Sequence, residues 1–166
     1  ITGPQDPRPV RIGDYDDVIV GIGANRARLD LYRALVSRGA TMATLIHPRA
    51  TVSRHARIGS GSVVFAGAVV NFGAVIGQAC IVNTGATVDH DACLADGVHI
   101  SPGAHLGGAA VIGECSWIGI GATVREGVTV GRDVRVGAGA AVVAAAPDEG
   151  TLVGVPARPL RGKDDA

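Results

Sequence analysis

The chain has 166 residues, with 15 Lys+Arg against 15 Asp+Glu, so its formal net charge is zero. That balance gives no global electrostatic reason to bind nucleic acid or an acidic membrane surface. The 47% apolar residues argue against disorder, and glycine that does not recur every third residue excludes collagen, while 25 glycines and only 3% aromatics point to a thin core of small aliphatic side chains.

No run of about twenty apolar residues is present, so no membrane span is expected, and no basic-then-apolar leader is read. The chain opens on Ile1 rather than Met, which we read as a piece of a longer or processed protein, with Pro4, Pro7 and Pro9 interrupting any early sheet. Asp17 to Val20 reads as a short strand ending in Gly21-Ile22-Gly23. Asn25 is placed to cap a helix running to about Ser37, with Leu29, Tyr32, Leu35 and Val36 as its apolar stripe and Gly39 as its stop. Ala43 to Ile46 reads as a second strand, and His47-Pro48 turns the chain away. A glycine turn ahead of a helix can cradle a phosphate, but a plain tight turn fits GxG equally well.

From Ile46 the pattern changes. Every sixth residue, through Val52, Ile58, Val64 and onward to Val142, is Ile, Val or Leu, seventeen in unbroken series. The residue two before each is mostly small, as in Ala68, Ala86 and Ala104, and glycine often follows, as in Gly59, Gly77 and Gly113. A period of six is neither helical nor a plain strand alternation. It fits a three-faced prism with one hexapeptide per face, three hexapeptides per coil and about six coils, roughly 27 Å tall at a strand spacing of about 4.8 Å. The aliphatics stack inward, and the small residues and glycines let the chain turn the corners through unusual backbone angles. Pro147-Asp148-Glu149-Gly150 ends the period, and Gly162 to Ala166 is a polar, frayed tail.

Three cysteines, Cys80, Cys93 and Cys115, cannot all pair and form no CxxC, so they read as buried free thiols of a reducing cytoplasm. Of five histidines, His47 and His55 read as surface or turn residues. His90 stands out in Asn83-Thr84-Gly85-Ala86-Thr87-Val88-Asp89-His90-Asp91. A neutral imidazole can take a proton from an attacking amine or hydroxyl, and a neighbouring carboxylate can orient it. Asp89 and Asp91 flank the ring, and alternation along the chain allows only one of them to face it.

The hexad series over residues 44–146 resembles the left-handed parallel β-helix of hexapeptide-repeat acyltransferases. Val153-Gly154-Val155-Pro156-Ala157-Arg158 is similar to the ending of members that use coenzyme A. The stretch from Asn83 through His90-Asp91 to His99-Ile100-Ser101-Pro102-Gly103-Ala104 resembles the active-site region of the sialic-acid O-acetyltransferases and the nucleotide-amino-sugar N-acetyltransferases. The resemblance implies a mainly β fold preceded by a truncated βαβ, Rossmann-like piece over residues 1–43 and followed by an extension over 147–166.

It also implies roles. The general base is His90. Its basicity is raised by Asp91, where the family often has the longer Glu. Asn83 lines the substrate site, to which Gly21, Gly23 and Asn25 contribute a phosphate-side turn. His99 lies near the acetyl-CoA thioester, and Gly108, Ile120 and Ala138 border the pantetheine arm. The family's usual first strand and its glycine-rich loop are absent here. The implied reaction is direct acetyl transfer from acetyl-CoA to a nucleotide-linked amino sugar of the 4-amino type, without metal, in a cytoplasmic homotrimer with its sites between prisms. Three other readings stay open: O-acetylation of sialic acid or a related sugar, a non-catalytic scaffold, and a zinc enzyme like the γ-type carbonic anhydrases, for which His99 and His105 are the candidate ligands.

Overall fold

The computed structural model describes residues 15–160. Pro4, Pro7, Pro9 and the tail Gly162 to Ala166 lie outside them. Each of the seventeen hexads forms one two-residue strand, from Leu45–Ile46 to Ala141–Val142. Each strand pairs in parallel with its counterpart one coil on, as His99↔Trp117 and Ile100↔Ile118. The result is a parallel β-solenoid of nearly six coils with three faces. The first face starts at Leu45–Ile46, the second at Thr51–Val52 and the third at Arg57–Ile58.

The second residue of each strand points inward. Val64, Val82, Val88, Ile100, Ile112 and Ile118 are at most 1% exposed, and Ala86, Ala104 and Ala122 fill the space beside them. Parallel stacking repeats one environment in every coil, so a single residue class serves a whole column. The column opens at its lower end. Ile46 is exposed, and Val52 and Ile58 are half-buried, because no described coil lies beneath them.

The corners correct one expectation. Where a glycine follows the aliphatic, it does not carry the unusual dihedral angle; it permits close approach. A Cβ on Gly113 would stand 2.5 Å from the carbonyl carbon of Gly131 in the next coil, and one on Gly59 would stand 2.6 Å from Gly77. The left-handed backbone occurs two positions later, in every hexad from Gly61 to Gly139. Nine of those positions are glycine, and the others are Ala79, Asp91, Ala109, Cys115 and Asp133. Asp tolerates this conformation better than most side chains do.

Ahead of the prism, the helix Asn25–Ser37 is flanked by a single parallel bridge, Val18↔Met42, rather than by two full strands. Leu45–Ile46 pairs with Val63–Val64 and so is the prism's first rung. The helix lies on the corner between the third and first faces, where Leu29 and Tyr32 pack with Ala79 and Cys115. Two details differ from the expected helix. Val36 is 45% exposed, whereas Arg28 occupies the buried stripe. Asn25 is the first helical residue and not its cap: Ala24 precedes it without a side-chain cap bond. Arg26 and Arg33 pair with Glu114, Asp133 and Asp96 along the rim of this contact.

After Val142 the period breaks as expected. Thr151–Val153 joins the first face against Arg135–Val136, closing a last coil shorter than the others, and Arg158–Pro159 returns antiparallel to it. Ala157 packs on the core, and its N–H donates to Ala141 O. No helix among the described residues is long and apolar enough to cross a membrane.

Candidate active site

His90 follows the strand Thr87–Val88 on the corner between the second and third faces. Its Nδ1 lies 3.0 Å from Asp91 Oδ2, and both side chains are 61% exposed. Asp91 reaches the ring because its own backbone is left-handed, with φ 59°. Asp89 points elsewhere: its Oδ1 accepts from the His90 N–H at 2.8 Å and from Asn71 Nδ2 at 2.8 Å. One carboxylate therefore holds the imidazole and the other holds the bend beneath it. The hydrogen bond to Asp91, followed by the charge of Asp89, raises the His90 pKa above the usual 6.5. With Nδ1 donating to Asp91, the free lone pair is on Nε2.

Two glycines make room for this pair. Gly108, one coil beyond His90, lies against its ring: a Cβ there would stand 2.5 Å from His90 Nε2. Gly73, one coil before Asp91, lies against Asp91 Oδ1 in the same way. No acceptor among the described residues takes the Gly108 N–H.

A second group gathers around the corner between the first and second faces and on the adjoining first face. Thr84 N–H donates to Asn83 Oδ1 at 2.8 Å, which orients the amide so that Nδ2 donates to His99 Nε2 at 3.2 Å. His99 therefore carries its proton on Nδ1. Its ring stacks on Trp117, one coil above, at 5.9 Å and 11°. Trp117 Nε1 donates to Ser101 Oγ, and Arg135 sits 5.6 Å over the Trp117 ring. Burial, then the nearby charge of Arg28, lowers the His99 pKa to about 4, so the ring is neutral near pH 7. Outward histidines on a prism are usually solvated; the Trp117 stack is what makes this one different.

Ile120, 61% exposed, and Ala138 share one corner column in successive coils. Each follows a glycine, and no acceptor among the described residues takes either N–H. Gly21 and Gly23 have open space where a side chain would be. Asn25 holds the helix down: its Nδ2 donates to Cys115 O at 3.0 Å and Ser116 O at 3.1 Å, and its Oδ1 accepts from Arg28 at 3.0 Å.

The structure thus brings together His90, Asp91 and Gly108 on one corner, and Asn83, His99, Ile120 and Ala138 around another. His99 and His105 lie on different faces, in separate sheets, which does not suit a metal shared by the two within one chain. No group of three His, Cys, Asp or Glu side chains able to hold a metal occurs among the described residues. Of the thiols, Cys80 and Cys115 are buried but Cys93 is exposed, because it takes the outward place of its hexad. Sequence reasoning missed Thr84, Asn71, Gly73, Trp117 and Arg28. For Asn71, Gly73 and Trp117 a signal existed, since each lies one full coil from Asp89, Asp91 or His99.

The family model for bacterial transferase hexapeptide (six repeats) matches residues 109–144. The acetyltransferase domain of PglB from Neisseria gonorrhoeae FA1090 is 52% identical over 87% of this chain and 70% of its own, with a TM-score of 0.86. The chain belongs to the hexapeptide-repeat acetyltransferases. The same PglB domain in complex with acetyl coenzyme A matches at 49% identity and a TM-score of 0.87, over 90% of this chain and 75% of that one. A mutant of perosamine N-acetyltransferase from Caulobacter crescentus, in complex with CoA and GDP-perosamine, is 41% identical over 89% of this chain and 70% of its own, with a TM-score of 0.87. No curated protein sequence matches the chain.

Proposed function

We propose that this hexapeptide-repeat acetyltransferase moves an acetyl group from acetyl-CoA to the amine of a nucleotide-linked amino sugar, of the 4-amino type, with His90 as general base. The observation that carries this reading is the exposed His90–Asp91 pair, with Nδ1 tied to the carboxylate and Nε2 left free beside Gly108. The relatives support the choice of substrates, one being in complex with acetyl coenzyme A and another with CoA and GDP-perosamine.

His90 Nε2 accepts the proton as the sugar nitrogen attacks the acetyl carbonyl. Asp91 stabilises the imidazolium that forms. The Gly108 N–H meets the negative oxygen of the tetrahedral intermediate. The carbon–sulfur bond then breaks, and the imidazolium returns its proton to the departing CoA thiolate. His99 is too weak a base to compete, and it offers its Nδ1–H near the thioester. The N–H groups of Ile120 and Ala138 bond the amides of the pantetheine arm. Gly21 and Gly23 hold the phosphate side of the acceptor, and Asn25 fixes that turn to the prism.

A single convex prism keeps its two corners apart, so each site needs the His90 corner of one subunit and the Asn83–Ala138 corner of another. A homotrimer with three such sites satisfies both corners of every chain. Three free thiols support a cytoplasmic setting.

The test is thiol release from acetyl-CoA with a panel of UDP- and GDP-linked amino and hydroxy sugars. Wild type is expected to consume an amino sugar, and His90→Ala to lose about 10²–10⁴-fold in kcat, the usual contribution of a general base. Full activity in His90→Ala would remove His90 from the mechanism, and turnover with hydroxy sugars alone would make the enzyme an O-acetyltransferase.

A further inference from the structure

Arg28 is 1% exposed, and every one of its guanidinium N–H groups has an acceptor. Nε donates to Ala79 O at 2.7 Å, Nη1 to Ile22 O at 3.1 Å and Gly23 O at 3.0 Å, and Nη2 to Asn25 Oδ1 at 3.0 Å and Gly97 O at 2.8 Å. Not one of these acceptors is a carboxylate. A buried cation without a counter-ion is an unfavourable way to fill a helix interface, and an apolar side chain of that size would serve stability better. Only a planar five-donor fork, however, can hold carbonyls on separate chain segments at fixed angles.

The acceptors tell what is being held. Ile22 and Gly23 belong to the glycine turn. Ala79 and Gly97 are corner residues of two successive coils, both left-handed, with φ 52° and 70°. Asn25, itself held by Arg28, extends the attachment to a third coil through Cys115 and Ser116. The first face begins at this corner, and its outward residues there are Ile81, His99 and Trp117.

We propose that Arg28 is a positioning residue for acetyl transfer: its guanidinium sets the Gly21–Gly23 turn against the prism face that carries His99, so that acceptor and donor meet in register. This rests on the reading of the turn as the acceptor's side and of His99 as the donor's. Arg28 touches no reacting atom. Its charge also acts on the His99 ring, second to burial in keeping that imidazole neutral. The other cation near His99, Arg135, lies against Trp117.

Two variants separate the fork from the charge. Arg28→Lys keeps the cation but cannot reach five acceptors; Arg28→Met removes both. In Arg28→Lys the KM for the nucleotide sugar is expected to rise about tenfold or more, within the loss that misplacement of a bound group can cause, with CoA affinity unchanged and the NMR titration of His99 unmoved. In Arg28→Met the same KM rise is expected together with an upward shift of the His99 titration. A merely structural arginine would lower the active fraction, and so kcat, without moving the acceptor KM; that result overturns the proposal. Should wild type acetylate no nucleotide sugar, the proposed function fails on its own. The backbone amide resonances of Gly21 and Gly23 are still read in that case, and their staying unmoved in Arg28→Lys overturns the role given to Arg28.

Discussion

A single methyl group at position 108 separates catalysis from stability. In Gly108→Ala the new Cβ meets only the tip of the His90 ring, a movable and solvent-exposed side chain, and the backbone there is not left-handed. The ring must swing away from its Nε2 position. We expect kcat to fall about 10²-fold, as for a general base misplaced by an ångström, while the thermal unfolding midpoint stays close to that of wild type, as for most exposed changes. Unfolding scans and steady-state rates on one preparation check both halves. The neighbouring carboxylate gives a pH signature. Asp91 raises the His90 pKa, so activity is lost as pH falls through a value above 6.5. Asp91→Asn removes the leading cause of that rise, and the acid limb of the kcat/KM profile moves to lower pH. The plateau drops as well, because a weaker base accepts the proton less readily.

At the scale of the element, the hexad is a unit whose six positions have separate physical duties. Gly113 shows the duty that composition alone would misassign. Its substitution by alanine drives a Cβ to 2.5 Å from main-chain carbon in the adjacent coil, which cannot rotate away. Gly113→Ala should therefore destabilise the prism by about 2 kcal/mol or more, within the range for overpacking a tight interior, in contrast to Gly108→Ala. Denaturant midpoints of the two variants make the comparison. The histidine pair shows how position in the hexad sets chemistry. His90 sits on a corner, free in solvent with a carboxylate beside it. His99 sits mid-face, stacked on Trp117 and lowered to about 4. The hexad grid separates these two positions. It does not say which neighbour stacks on which, since that depends on the coil above or below.

For the whole molecule, the proposed roles divide the reacting groups between two corners of one convex body. Mixing folded His90→Ala and Asn83→Ala chains, each inactive alone, should restore activity. In a randomly mixed three-fold ring about one quarter of the interfaces regain both intact corners. A site complete within one chain would gain nothing on mixing, so the activity of the reassembled mixture tests the division directly.

The repeat was legible from residue order alone because parallel coils place every sixth side chain in the same environment, and selection for burial then leaves a visible period. The helix from Asn25, the break at Pro147 and the His90-Asp91 pair were legible for a similar reason, since local rules govern all three. Contacts at a distance of one coil or more were not. Arg28 lies in an apolar stripe yet binds carbonyls 51 and 69 residues away. Asn25 looks like a cap yet docks on Cys115 and Ser116. Residue order determined the prism and singled out the candidate base. Tertiary structure alone decided which glycines guard the His90–Asp91 pair, which histidine stays neutral and which cation fastens the turn, because those depend on distances between segments that the order of residues does not encode.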